Sequence, residues 1–233
     1  MPEAGITRVK VDRDSYRLIP SHFPPIGLFE NLLDPDELEA AYALESLTND
    51  RLQDQVGNIA LVAPEDRVTG PGTTAIMAAF THTGMASRFT RGRYGVYYAA
   101  LDLDTAIAES AFSRARFMAA TNEAPQILTM RSYICRVNAM LVDVRADKAV
   151  HDPASFAYAQ AVGEKLKNEN ESGILYNSVR NTGGECIAAL RPCALAPPAS
   201  QAGHYQFRWD GRTIAEVLKI EKYRQTKTVE MNS

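Results

Sequence analysis

The sequence predicts one domain of α+β class, on three observations. Helix-like segments concentrate in the first two thirds of the chain, strand-like segments cluster late, and the two do not alternate as a doubly wound sheet requires. A length of 233 residues suits one elaborated unit. Residues 1–233 are therefore read as a single domain, with a flexible lead-in over 1–15, an N-terminal arm and helix over 16–56, and a core over 57–223.

Taken in order, Met1 to about Ser15 is charged and reads as a loosely held lead-in. Pro20, Pro24 and Pro25 exclude a regular helix in RLIPSHFPPIGLFENLL and suggest an extended arm. Asp34-Pro35-Asp36 then has the chemistry of a helix start and leads into ELEAAYALESL. Asn58–Val62 reads as a short strand. Thr73 or Thr74 is placed to cap a helix through TAIMAAFTH that ends near Gly84.

The aromatic run SRFTRGRYGVYYAAL reads as two short strands about a Gly92/Gly95 turn. Asp104 or Thr105 caps the next helix, DTAIAESAFSRARFMAAT, in which Ile107, Ala111, Ala115 and Met118 form one apolar stripe. QILTMRSYICRV and MLVDV follow as strands, and Asp152-Pro153 opens a helix through ASFAYAQAVGEKLKNE. The last third is strand material broken by turns at Asn181-Thr182-Gly183-Gly184 and Asp210-Gly211.

Composition narrows the function. With 25 Lys+Arg against 28 Asp+Glu, the net charge of −3 gives no global attraction to nucleic acid or to an anionic membrane. Any phosphate-binding site must be local. Cys135, Cys186 and Cys193 are odd in number and form no CxxC pair, so they are expected to be buried free thiols in a reducing compartment. The polar N-terminus lacks a signal core, and no apolar run approaches the roughly 20 residues of a membrane span. A soluble cytoplasmic protein is expected.

The chain contains no GxGxxG after a strand, no GxxxxGK[ST], no GxSxG elbow and no HExxH helix. His22, His82, His151 and His204 are scattered without metal-ligand spacing, which fits ordinary surface or core histidines and no metal centre. What remains is the stretch from Arg88 to Glu109 and a second segment around Ser178. Arg88, Arg91 and Arg93 gather positive charge beside two glycines, where guanidinium groups suit phosphate oxygens. Taken singly they also describe a solvated basic turn. On a strand, Tyr97 and Tyr98 face opposite ways, so one packs in the core and the other is free to face a cleft. Glu109 lies well off the apolar stripe of its helix, as a surface glutamate or a cleft residue would. Ser178, in YNSVRNTGG, reads alone as a turn serine.

Together these residues resemble the RES-domain toxin family, named for its Arg, Glu and Ser. SRFTRGRYGVYYAALDLDTAIAES followed by GILYNSVRNTGGECIAALRP places Arg88, Tyr98, Glu109 and Ser178 at the family's Arg, Tyr, Glu and Ser. IPSHFPPIGLFENL resembles the opening of a longer-armed subgroup. The chain departs from the pattern at Phe29-Glu30, where many members have Tyr-Arg. Ser113 stands where many carry His, and Asn177-Ser178 replaces a frequent Pro-Ser.

The resemblance implies an ADP-ribosyltransferase-like fold, with central split antiparallel sheets and flanking helices, and the toxin role in a toxin–antitoxin pair that consumes NAD as substrate without a metal. Cleavage of the nicotinamide–ribose bond passes through an oxocarbenium-like state that a nearby carboxylate stabilises. Glu109 takes that role by resemblance. Arg88 would hold the phosphates or ribose, Tyr98 would pack at the nicotinamide side, Ser178 would bind the ligand or orient Glu109, and Phe29 would supply an aromatic wall. Water, inorganic phosphate or a host-protein side chain could each accept the ADP-ribosyl group. Those acceptors give glycohydrolase, phosphorylase or mono-ADP-ribosyltransferase activity, respectively. A non-catalytic NAD-binding module is the reading from another class, motivated by Phe29 and Ser113. Expected partners are an Xre-type DNA-binding antitoxin covering the active site, a second copy of the chain and a host acceptor protein, with no direct nucleic acid and no membrane. His82, Arg93 and Arg180 receive no role from the motif.

Overall fold

Strands hold the chain together along one long element, and the helices cover its faces. The computed structural model describes residues 6–21 and 57–221. Phe29, the Asp34-Pro35-Asp36 helix start and the rest of the proline-rich arm lie outside those residues. Seven strands form one sheet: β1 (Arg8–Pro20), β2 (Tyr97–Ala100), β3 (Gln126–Asp143), β4 (Gly173–Asn177), β5 (Glu185–Ala189), β6 (Leu195–Trp209) and β7 (Ile214–Ile220). Three α-helices lie among the described residues: α1 (Thr73–Thr81), α2 (Leu103–Ala120) and α3 (Ala157–Asn168).

The strand order is β1-β2-β5-β4-β3-β6-β7, and β1 pairs with β3 as well. One edge of β3 carries β1 from Met130 to Val142. The other edge carries β6 as far as Val137 and then β4 at Val142 and Asp143. The sheet therefore splits along β3. The β6–β7 pair leaves from its first half, and β4, β5 and β2 leave from its end. This is the α+β class and the split sheet with flanking helices that were expected, antiparallel apart from the β3–β4 step. That parallel step needs a long crossover, and α3 lies within it.

Alternation sorts the side chains onto two faces. Tyr97, Ala99, Leu175, Ile187 and Ala189 join a core covered by Ile76, Met77 and Phe80 of α1. Ala100, Ile174, Tyr176, Cys186 and Ala188 face the other way, into a core with Phe89, Val150, Ala159 and Leu166. Ile107 and Ala111 of the α2 stripe pack on Met130, Tyr205 and Phe207. Met118, further along the same stripe, is buried too.

Several expectations are corrected. Residues 8–15 are ordered strand and no loose lead-in, because their charges pair across the ladder with β3. Arg136 donates to Asp12 at 2.7 Å, while Val11 and Ser15 point inward and are buried. Asn58–Val62 is a single 3-10 turn at Ile59–Leu61, because the Asn58 side chain accepts from the Ala60 N–H at 3.0 Å. Helix α1 is capped by Gly72, since the Thr73 hydroxyl is spent on the Gly70 carbonyl at 2.7 Å, and it ends at Thr81. Gly72 has φ +76°, and a Cβ there would lie 1.7 Å from the Ala199 carbonyl oxygen.

The cap of α2 is Asp102, whose side chain accepts from the Thr105 N–H. Only Tyr97–Ala100 of the aromatic run is a named strand; Ser87 and Thr90 form an isolated bridge before it. The two strands expected on either side of Asn138 are the single strand β3. Asp152 folds into a turn on the Ala154 N–H at 2.8 Å, which delays α3 to Ala157. Cys135 and Cys186 are buried as expected, and Cys193 is exposed.

Candidate active site

The site is built around the start of α2. Asp102 accepts from both the N–H and the hydroxyl of Thr105, each at 2.7 Å, which fixes the first turn. Asn181 in turn donates its amide to the Thr105 hydroxyl at 2.7 Å, docking the β4–β5 turn onto the helix. Only glycine fits at 184 in that turn, because a Cβ would sit 2.2 Å from the Thr105 hydroxyl oxygen. One helical turn on from Thr105, Glu109 meets this docked turn. Its Oε1 accepts from the Ser178 hydroxyl at 2.6 Å and from the Val179 N–H at 3.2 Å. Ser178 Oγ itself accepts from the N–H groups of Arg180 (3.1 Å) and Asn181 (2.9 Å). Ser178 thus orients Glu109. Oε2 of Glu109 makes no hydrogen bond among the described residues.

Arg88 arrives from the segment before β2. It is buried, and its Nη1 donates to the carbonyls of Val150 (2.9 Å) and Asp152 (3.3 Å). Its guanidinium lies over the Phe156 ring, with Cζ 4.8 Å from the centroid. Tyr98 holds this segment in place. Its hydroxyl accepts from the Phe89 N–H at 2.9 Å and shares a hydrogen bond with the Ser87 hydroxyl at 2.8 Å. The hydroxyl is used internally, so what Tyr98 can offer a ligand is its ring. Tyr97, facing the opposite way, stacks on Phe80 in the core.

Fields tie these groups together. Glu109 raises the pKa of Tyr176, which burial already pushes well above the ordinary tyrosine value, and Arg88 opposes that rise. Burial lowers the pKa of Arg180, with Glu109 opposing and with Arg88 and Arg116 reinforcing the shift. The structure therefore brings Arg88, Glu109, Ser178 and the Tyr98-held segment to one place. It also adds groups that residue patterns did not single out: Phe112, Arg116, Phe156 and Tyr176. Position was the one available clue, since Phe112 and Arg116 lie about one and two helical turns beyond Glu109.

Other expectations resolve differently. The Arg88, Arg91 and Arg93 group does not act as one cationic turn. Arg93 is exposed and pairs with Glu164 of α3 at 3.1 Å, and Arg91 is exposed. His82 bonds the Ala78 carbonyl at 2.8 Å, beside the end of α1. His151 behaves as a satisfied structural histidine: its Nε2 accepts from the Asn177 N–H at 3.0 Å, which puts the proton on Nδ1, bonded to the Asp147 carbonyl at 2.7 Å. Proline at 177 could not make that bond, so the departure from Pro-Ser ties β4 to the turn before α3.

Burial pushes the Tyr98 phenol up to about 12 and the Cys135 thiol up to about 11; Tyr94, Tyr97 and Tyr176 are also raised. The native state thus holds these protons more tightly than the unfolded chain. Their stabilising effect is complete below the unfolded tyrosine value of about 10 and is lost as pH rises toward 12. Tyrosinate absorbance and far-ultraviolet circular dichroism are expected to change together in that window. Ionisation of all ten tyrosines near pH 10 with the dichroism intact would contradict the buried placement.

The candidate site is thus a carboxylate fixed by a serine and a backbone N–H, with arginines nearby, on an α+β frame. The RES domain family model matches residues 64–210, a stretch that contains Arg88, Tyr98, Glu109 and Ser178. A protein of Sinorhizobium fredii (strain NBRC 101917 / NGR234), described as the uncharacterized protein y4oC, is 32% identical over 208 residues, covering 89% of this chain and 87% of that protein. The chain belongs to the RES-domain family. Among solved structures, a chain of the M. tuberculosis MbcT-MbcA toxin-antitoxin complex superposes with a TM-score of 0.44 at 12% identity, over 84% of this chain and 86% of that one. That likeness is too distant to bear on the activity.

Proposed function

We propose that this chain is an NAD-cleaving toxin that breaks the nicotinamide–ribose bond and is held in check by a small antitoxin covering the site. The observation that carries the proposal is the state of Glu109: Oε1 held by Ser178 and Val179, Oε2 left for a ligand, and arginines beside it. Such a carboxylate is built to stabilise developing positive charge, as the departing nicotinamide requires of the ribose carbon. Two of its lone-pair directions are already occupied, which fits a stabilising and hydroxyl-holding group better than a mobile base. Arg88 would orient the ligand's anionic part, with its guanidinium already aligned by two carbonyls and a ring. Family membership supports the toxin role, a DNA-binding antitoxin and the cytoplasm as site of action. No helix among the described residues is long and apolar enough to cross a membrane.

Nicotinamide release from NAD by the purified chain, with and without inorganic phosphate, tests the reading. Release is expected in at least one condition, and the partner product, ADP-ribose or its phosphate ester, identifies water or phosphate as acceptor. No release in either condition removes both hydrolysis and phosphorolysis. Labelled NAD with cell lysate then reports transfer to a protein. Binding of NAD without any of these outcomes would make the chain a non-catalytic module.

A further inference from the structure

Five side chains from four separate segments form an alternating series of guanidinium groups and rings beside Glu109. Arg88 Cζ lies 4.8 Å from the centroid of Phe156, and Arg116 Cζ lies 5.0 Å from the same ring. Arg116 is also 5.9 Å from the centroid of Phe112, over which Arg180 Cζ sits at 3.3 Å. The series runs Arg88, Phe156, Arg116, Phe112, Arg180. Each ring offers its negative face to a cation and keeps neighbouring cations apart.

The series is cationic overall, and its central member, Arg116, is open to solvent. Arg116 makes no hydrogen bond or ion pair with any described residue. Arg180 makes no side-chain hydrogen bond with them either, and its Nε and Nη2 are buried without a partner among the described residues. Nη1 is the nitrogen of Arg180 that solvent reaches. Among the described residues, the ionised neighbours acting on Arg180 are one carboxylate, Glu109, and two cations, Arg88 and Arg116. Three guanidinium charges against one carboxylate leave a net of two positive charges, and a diphosphate is a dianion. Guanidinium groups bind such oxygens through paired N–H donors.

We propose that Arg116 and Arg180 hold the diphosphate of the substrate, with Phe112 and Phe156 setting the spacing of the guanidinium planes. The identity of the substrate rests on the NAD-cleaving reading, but the anion site does not. Arg88 is tied to two carbonyls and anchors the far end of the series. Arg180 is joined to Ser178 through the turn that fixes Glu109, so the diphosphate and the carboxylate are held by one rigid segment.

Calorimetric titration of the full chain with ADP, AMP and adenosine tests the proposal, using Arg116→Gln, Arg180→Gln and the exposed turn variant Arg212→Gln. Each site variant is expected to weaken ADP by about tenfold and to flatten its salt dependence, leaving adenosine unchanged. Arg212→Gln should match wild type. Arg180→Gln should also raise the urea midpoint, because it removes a partly buried cation with unpaired donors. A merely structural arginine would give the opposite sign. Equal losses for ADP and adenosine, wild-type ADP affinity in both site variants, or no ADP binding by wild type would each overturn the proposal. NAD cleavage with wild-type KM in both variants would overturn it while leaving the proposed activity standing. Arginine-dependent ADP binding without NAD cleavage would do the reverse.

Discussion

Glu109→Gln is expected to lower nicotinamide release by about a thousandfold while leaving the fold intact. Glutamine has the same shape, and its Oε1 can still accept from the Ser178 hydroxyl and the Val179 N–H, the two bonds that position Glu109. What changes is the other atom. An amide nitrogen replaces Oε2, so a donor without negative charge stands where the carboxylate would face the ribose. Weakening two charge-assisted hydrogen bonds to neutral ones should shift stability by about 1 kcal/mol. The measurement pairs initial rates of nicotinamide release with urea unfolding of the same preparations. Activity within tenfold of wild type would remove Glu109 from the reaction. A large loss of stability would show that its role is structural.

Gly163→Ala is expected to lower stability. On local propensity the change is favourable by about 1 kcal/mol, since alanine is the better helix former and position 163 is inside α3. Tertiary packing reverses the sign. A Cβ at 163 would lie 2.1 Å from the Phe89 carbonyl oxygen and 2.9 Å from the Phe89 Cβ. Phe89 is poorly placed to yield: it is fully buried, its carbonyl accepts from the Tyr94 hydroxyl at 2.6 Å, and its ring meets Tyr176 edge-on at 5.0 Å. Moving α3 instead would break the bond from the Gln160 side chain to the Ser87 carbonyl at 3.0 Å. A net destabilisation of about 2 kcal/mol is expected, read as a lower urea midpoint at unchanged m. Either displacement also moves Arg88, so activity should fall with stability. A stabilised variant would show that α3 does not press on Phe89.

Local patterns made much of the fold legible. The α2 stripe, the β4 and β5 segments and the Asp210-Gly211 hairpin between β6 and β7 were readable because their periodicity or turn chemistry is intrinsic to a few neighbouring residues. Misreadings came where a side chain chose a different local partner. Asn58 turned its amide onto Ala60, Thr73 bonded Gly70 in place of capping, and Asp152 made a turn before α3. Strand β1 was hidden because it carries charges along most of its length, and these become acceptable only opposite the partners on β3.

At the site, Arg88, Tyr98, Glu109 and Ser178 were nominated by their resemblance to the RES-domain motif, since taken singly each also reads as an ordinary core, turn or surface residue. It also assigned one of two adjacent tyrosines to the core, because a strand must alternate. It could not say which one: Phe80 took Tyr97, and Ser87 with Phe89 took Tyr98. Nor could it place positive charge. By adjacency Arg88, Arg91 and Arg93 look like the cationic group, whereas the arginines gathered near Glu109 are Arg88, Arg116 and Arg180, as many as 92 positions apart. Periodicity and capping act over a few residues and are written in the sequence. Which charges share a field is decided when a helix, a turn and a loop are packed together, and only the tertiary structure determines that.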